Sequence, residues 1–186
     1  MKTILDKAKE LFNKRVLDFS SDPYGLIPHV EEAERLANFM LKKHPEADKE
    51  IVILAVRLHD IGHYPITSED HAVVGEKIAI NFLKTQNLNP EKIKAVAHCI
   101  RAHRCKDVMP ETIEAKIVAF VDSASHMTST MYLDMIKQNK SKDKVLGKIE
   151  RDFRDLGLFP EIKENMREIY EAWKKLIEAY KKIDLN

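Results

Sequence analysis

The sequence predicts an all-α protein, and three observations carry that prediction. Apolar residues recur every three to four positions along almost the whole chain, which is the period of one helix face. No run alternates apolar and polar residues in the way a strand would. Only five Gly and 7% aromatic residues interrupt long stretches of mixed charged and apolar residues, a composition that favours helices.

Taken in order, Ile4, Leu5, Ala8, Leu11, Phe12 and Arg15/Val16 form the first stripe, which Asp22-Pro23-Tyr24-Gly25 breaks. His29, Ala33, Leu36, Ala37 and Met40 form the second. It ends near His44-Pro45, because proline disfavours helix in the residue before it. Ile51 to His59 is short and nearly all apolar, so it should be buried on most sides; Gly62 and Pro65 end it. Ser68-Glu69-Asp70 starts a helix running from His71 to about Thr85. Asn89 followed by Pro90 pairs a good N-cap with proline at the first helical position, and that helix runs to about Arg104. Pro110 opens the next, with Ile113, Ile117, Phe120, Val121 and Ala124 facing inward. A polar segment follows, then helices near Lys144–Leu156 and Pro160–Ile183. The last carries Ile162, Met166, Ile169, Trp173, Leu176, Ile177 and Tyr180, a stripe for covering the core or for a homodimer face. Its continuity and the presence of the single Trp favour the core.

The length of 186 residues fits one domain over 1–186, burying roughly 70% of its unfolded surface. With 44% apolar and 33% charged residues, the chain is not a disordered one. Lys+Arg 31 against Asp+Glu 30 leaves +1, so the basic excess of a nucleic-acid binder is missing. The longest stretch free of Asp, Glu, Lys and Arg is Ser123 to Leu133, well short of the ~20 apolar residues of a membrane span. Residues 1–13 mix Lys and acids without an apolar core, unlike a signal peptide. Cys99 and Cys105 cannot make a disulfide framework, and reduced thiols in a cytoplasmic protein are the expectation.

Eight His is the unusual number. His59 and Asp60 sit side by side where a buried helix stops, and both are costly to bury without partners. His29 and His71 each open a helix on its apolar stripe; His103 lies near the end of the Pro90 helix and Asp122 inside the Pro110 helix. Imidazole and carboxylate are the donors expected for divalent ions, and helical bundles build metal sites from inward side chains of facing helices. Between His98 and His103, five residues apart, helix geometry rotates the direction by about 140°. His103 shares the Val96 and Ile100 stripe and should face inward; His98 is read as structural or as support for the ligands.

The ordered set His29, His59-Asp60 and Asp122 resembles the signature of the HD-domain superfamily of metal-dependent phosphohydrolases, from about Leu26 to Met127. The flanking text agrees: "HVEEAERLANFM", "AVRLHDIGH" and "EAKIVAFVDSASHM" are similar to the family's first, central and last-aspartate helices. The resemblance implies a compact helical bundle of HD type with additional N-terminal and C-terminal helices, the latter over about 128–186. It implies that His29, His59, Asp60 and Asp122 bind a first divalent ion (Mn, Fe, Zn, Co, Ni or Mg). In some branches Asp60 bridges to a second ion, and His71 and His103 occupy the places of its histidines. A divalent ion lowers the pKa of bound water towards ~7 and neutralises phosphate oxygens. Hydrolysis of a nucleotide or another small phosphate ester is therefore the implied activity, with Asp60 and His63 in catalytic roles. A di-iron oxygenase, a lyase or a non-catalytic regulatory module on the same scaffold are the alternatives, and the complete ligand set argues against the last.

This sequence departs from the family in two ways. His63 stands where many members carry a lysine; it would donate to phosphate or act as an acid, or else be a loop histidine in solvent. The further motifs of the cyclic di-nucleotide phosphodiesterase branch are absent. Weaker candidates are Glu32 and Arg35, which share a helix with His29 and are read as a solvated face, and Arg101 and Arg104, which flank His103 and would contact a phosphate or else be plain surface arginines, the reading favoured here; Lys106, Ser123 and His126 are weighed in the same way. Met127, Met131 and Met135 have the spacing of core filler, and Cys99 and Cys105 lack a thiolate-activating pattern.

Overall fold

Local signals start most of the helices. In the computed structural model, which describes residues 2–183, Thr3 caps α1 (Ile4–Phe19) through a reciprocal capping box with Asp6. Residue 1 and residues 184–186, the ends of the expected 1–186 domain, lie outside the described residues. Gly25, at φ 65°, supplies the left-handed turn before α2 (Leu26–Lys43). Asp48 caps α3 (Lys49–Leu58), and a 3-10 turn, Ile61–His63, follows it. Asp70 caps α4 (His71–Thr85), and Asn89 with Pro90 opens α5 (Pro90–Ala102).

Past α5 the boundaries depart from the expectation. Helix α5 stops at Ala102, two residues early, with His103 at its end. Pro110 does not open α6 (Ile113–Thr128); Thr112 does, its hydroxyl accepting from the Ala115 N–H. The polar segment after α6 contains a short helix, α7 (Met131–Lys137), before α8 (Lys142–Asp155). The expected helix over 160–183 is interrupted: α9 (Pro160–Lys163) passes through a 3-10 turn into α10 (Arg167–Lys182).

All regular structure among the described residues is helical, and no helix there is long and apolar enough to cross a membrane. Helix α3 is the axis, with α1, α2, α5 and α6 packed around it. Val52, Leu54, Ala55, Val56 and Leu58 are all fully buried, as an apolar helix with no polar face requires. One continuous hydrophobic cluster runs from Ala8 in α1 to Ile177 in α10. Helix α10 lies on α8, with Tyr170 and Ile177 buried; Trp173 packs against the core and donates its indole N–H to Met127 O at 2.8 Å. Leu176 and Tyr180 stay exposed.

This packing concentrates polar groups at one end of α3. Helix α4 approaches the 3-10 turn so closely that a Cβ on Gly62 would lie 2.1 Å from His71 O and 2.6 Å from Gly75 N. Glycine at 62 is therefore what lets the start of α4, and His71 with it, reach the end of α3.

Candidate metal centre

His29, one turn into α2, and His59, at the end of α3, bring their Nε2 atoms to 3.1 Å from each other. Asp122 of α6 places Oδ1 at 3.2 Å from His29 Nε2 and 3.3 Å from His59 Nε2. Asp60 places Oδ2 at 3.6 and 3.5 Å from the same two nitrogens. Its backbone, at φ −99° and ψ 8°, lies in the sparsely populated bridge region. All four residues are buried.

The other oxygen of Asp60 faces a second group. Oδ1 is 3.4 Å from His71 Nε2 and 3.7 Å from His103 Nε2, and those two nitrogens are 3.3 Å apart. His63 Nε2 also lies 3.4 Å from Oδ1, with its ring stacked on His71 at 3.9 Å. His63 is thus beside the second group rather than loose in solvent. His98 is elsewhere: its Nε2 accepts from the Glu111 N–H at 3.3 Å.

The imidazoles are fixed from behind. His59 Nδ1 lies 2.7 Å from Val56 O, and His103 Nδ1 lies 2.6 Å from Ile100 O. A carbonyl only accepts, so both protons sit on Nδ1 and both Nε2 lone pairs point into the site. Ser125 donates to Asp122 O at 2.7 Å, leaving its oxygen to accept from His29 Nδ1 at 3.0 Å. His29 and His59 would then oppose two lone pairs at 3.1 Å, an arrangement that needs a proton or a cation between them.

The electrostatics agree. Burial lowers the pKa of His29 to about 4 and that of His71 to about 3, and it lowers that of His103 too. Burial favours neutral acids, yet His59 and His63 hold Asp60, and His126 and His29 hold Asp122, well below the carboxylate range. Burial also opposes charge on His59, but Asp60 and Asp122 outweigh it and raise its pKa to about 9. Two ionised carboxylates and mostly neutral imidazoles are the donor set a divalent ion takes, with the His59 proton displaced on binding. Ligands ~2.0–2.2 Å from an ion stand ~3–3.5 Å from one another, close to the separations found here. His29, His59, Asp60 and Asp122, and separately Asp60, His71 and His103, can each hold a divalent ion.

Three further buried polar residues stand beside the ligands, two of which, Asp152 and Ser125, escaped the sequence reading. His126, a weaker candidate there, is buried with its ring parallel to His29 at 4.6 Å and its Nε2 3.5 Å from Asp122 Oδ1. Behind it, buried Asp152 of α8 accepts from the Tyr132 hydroxyl at 2.8 Å. The third, Ser125, is the acceptor behind His29. The only sequence signal was their position on helix faces that also carry core residues.

A cavity of about 1020 Å³ opens over both groups. Asp60, His63, His71, His103 and Asp122 line it together with Arg104, Lys106, Lys148 and Arg151. Tyr24, Leu26, Ile66, Met131 and Met135 form apolar wall, so Met131 and Met135 are more than core filler. Arg104 is paired with Asp70. Arg101 is paired with Asp107, and Glu32 with Arg35, neither of them lining this cavity. Burial pushes the Cys105 thiol up to about 12 and raises that of Cys99 as well, so neither is a ready thiolate.

The family model described as HD domain matches residues 26–127, more than half of the chain. A tRNA (cytidine(56)-2'-O)-methyltransferase from Picrophilus torridus is 31% identical over 122 residues, which cover 60% of this chain and 34% of that protein. The chain thus matches about a third of that relative's length. No solved structure matches the chain.

Proposed function

The chain belongs to the HD-domain family, and we propose that it is a metal-dependent phosphohydrolase acting on a nucleotide or another small phosphate ester. One observation carries this reading: the two oxygens of Asp60 face two separate histidine groups beneath a cavity lined by cations. His29, His59, Asp60 and Asp122 would hold a first ion; Asp60, His71 and His103 would hold a second. When bound, a divalent ion acidifies its water towards ~7 and neutralises phosphoryl oxygens.

The chain's own residues supply the rest. The carbonyls of Val56 and Ile100 hold His59 and His103 in the tautomer that leaves Nε2 free. Asp60 ties the two groups together, so both act on one substrate. His63, 37% exposed and braced on the His71 ring, is the group placed to give a proton to the ester oxygen that leaves. Arg104 and Lys106 offer charge to the substrate, and the apolar wall from Tyr24 to Met135 takes a sugar or base. The volume suits a nucleotide-sized ligand, being at the upper end of ordinary ligand pockets, ~300–1,000 Å³. The whole described chain acts as one domain in this reading, since a single core cluster joins α1 to α10.

The test is elemental analysis of protein purified without chelators, followed by a screen of phosphorylated substrates. One or two ions per chain with hydrolysis of a phosphate ester supports the reading. A redox-active di-iron spectrum without phosphatase activity overturns it. The name of the Picrophilus relative motivates a second reading, a role on tRNA. Salt-sensitive binding of tRNA in the same screen would favour it, although a net charge of +1 offers no basic excess.

A further inference from the structure

Lys148 stands on α8, outside the residues matched by the family model, yet it lines the same cavity as Asp60 and Asp122. Its ammonium is held in place. Nζ lies 3.1 Å from Asp152 Oδ1 and 3.2 Å from His126 Nδ1. Asp152 is itself anchored by the Tyr132 hydroxyl, and the far nitrogen of His126 lies 3.5 Å from Asp122 Oδ1. Lys148 is therefore one imidazole ring away from a candidate metal ligand.

Lysine carries three N–H donors. One is taken by Asp152 Oδ1; His126 Nδ1, 3.2 Å away, itself faces Asp152 Oδ2 at 3.3 Å, and the Lys148 side chain remains 23% exposed on the cavity wall, so donor capacity is left for the cavity. Immobilising a lysine costs side-chain entropy. One turn further along the same face, Arg151 lines the cavity and makes no ion pair with a described residue. By contrast, Arg104 and Arg154 are paired with Asp70 and Asp155.

We propose that Lys148, seconded by Arg151, binds the substrate's phosphoryl oxygens, so that the segment after the family match completes the site. A fixed cation on the wall of the cavity that Asp60 and Asp122 also line is the preorganised arrangement that anion binding needs. The proposal rests on the phosphohydrolase reading and adds to it the residues that recognise the phosphate.

The experiment uses inorganic phosphate binding to the metal-loaded full chain, followed by calorimetry. Metal content by elemental analysis and p-nitrophenyl phosphate kinetics accompany it. Lys148→Ala combined with Asp152→Asn removes the cation without stranding a buried carboxylate. It should keep parental metal content and weaken phosphate binding roughly 10- to 100-fold, as expected for a lost charged hydrogen bond. KM should rise more than kcat falls. Asp152→Asn alone should keep phosphate binding, Lys148→Arg should recover most of it, and Lys144→Ala, an exposed lysine on the same helix, should leave it unchanged. A metal-replete double variant that binds phosphate like the parent overturns the proposal, as does one that loses its metal. A loaded parent that binds no phosphate overturns it too. A parent that binds phosphate through Lys148 but hydrolyses no ester sinks the phosphohydrolase reading while leaving the anion site standing.

Discussion

Replacing Asp60 with Asn tests the shared-carboxylate arrangement directly. The amide keeps the side chain's size and one oxygen but loses the charge and one acceptor. In the parent, Oδ2 is 3.5 and 3.6 Å from the Nε2 atoms of His59 and His29, and Oδ1 is 3.4 and 3.7 Å from those of His71 and His103. A single amide oxygen serves only one of these groups. The first retains two imidazoles and the Asp122 carboxylate; the second retains two neutral imidazoles and no anion. Disturbing a partner behind a metal ligand already costs 10- to 100-fold in affinity, so losing the ligand's charge should cost at least about 100-fold at the first group. The second group should stay empty. Helical content should be parental, because the Asp60 side chain caps nothing. Elemental analysis after loading gives the stoichiometry, competition with a chromogenic chelator gives the affinity, and circular dichroism checks the fold. A variant that holds two ions per chain with parental affinity would refute the reasoning.

Three further outcomes are expected. His103→Ala should lower occupancy of the second group, whereas His98→Ala should leave metal content unchanged and cost about 1 kcal/mol, having only the Glu111 N–H to lose; metal loss in His98→Ala alone would reverse the assignment. Gly62→Ala drives a Cβ to 2.1 Å from His71 O; about 3 kcal/mol of overpacking should lower Tm by roughly 6–12 °C, and an unchanged Tm would be a contradiction. Asp70 is held at about 2: burial raises its pKa, but Arg104 and the Ala72 N–H outweigh it. Its folded pKa lies below its ordinary 3.8, so the stabilisation is complete above about pH 4 and lost as pH falls through about 2. Asp70→Ala should cost about 1–2 kcal/mol at pH 7 from cap and ion pair, with the gap to the parent closing near pH 2 in denaturant titrations. A gap that does not vary with pH would count against this account.

Much of the fold was legible because its causes are local. The stripes of α1 and α2, the all-apolar α3, and the Asp70 and Asn89 caps announce themselves within a few residues of where they act. The family's ordered His29, His59-Asp60 and Asp122 could be read as a resemblance, and its bounds agree with the matched 26–127. Helix α7 was missed because seven residues make too few turns to show a period, and between Met131 and Ile136 Asp134 alone breaks an apolar run, so no polar face marks a helix. Pro110 was misread because proline marks a helix start only when the cap precedes it, and here Thr112 follows.

Lys148 and Asp152 illustrate the other limit. On the sequence they are an ordinary i, i+4 pair of the kind that decorates helix surfaces. In the fold Asp152 is buried against Tyr132 and His126, twenty or more residues away along the chain. The sequence by itself determined the helical class, most helix limits, and the residue types able to bind a divalent ion, because backbone geometry and side-chain chemistry are properties of short segments. The choice of His103 over His98 already followed from helix rotation, whereas tertiary structure decided which oxygen of Asp60 faces which histidines, and that His126, Asp152 and Lys148 stand behind and beside the site. Those facts depend on how α3, α4, α6 and α8 pack, and packing sets the burial and the distances on which charge and coordination depend.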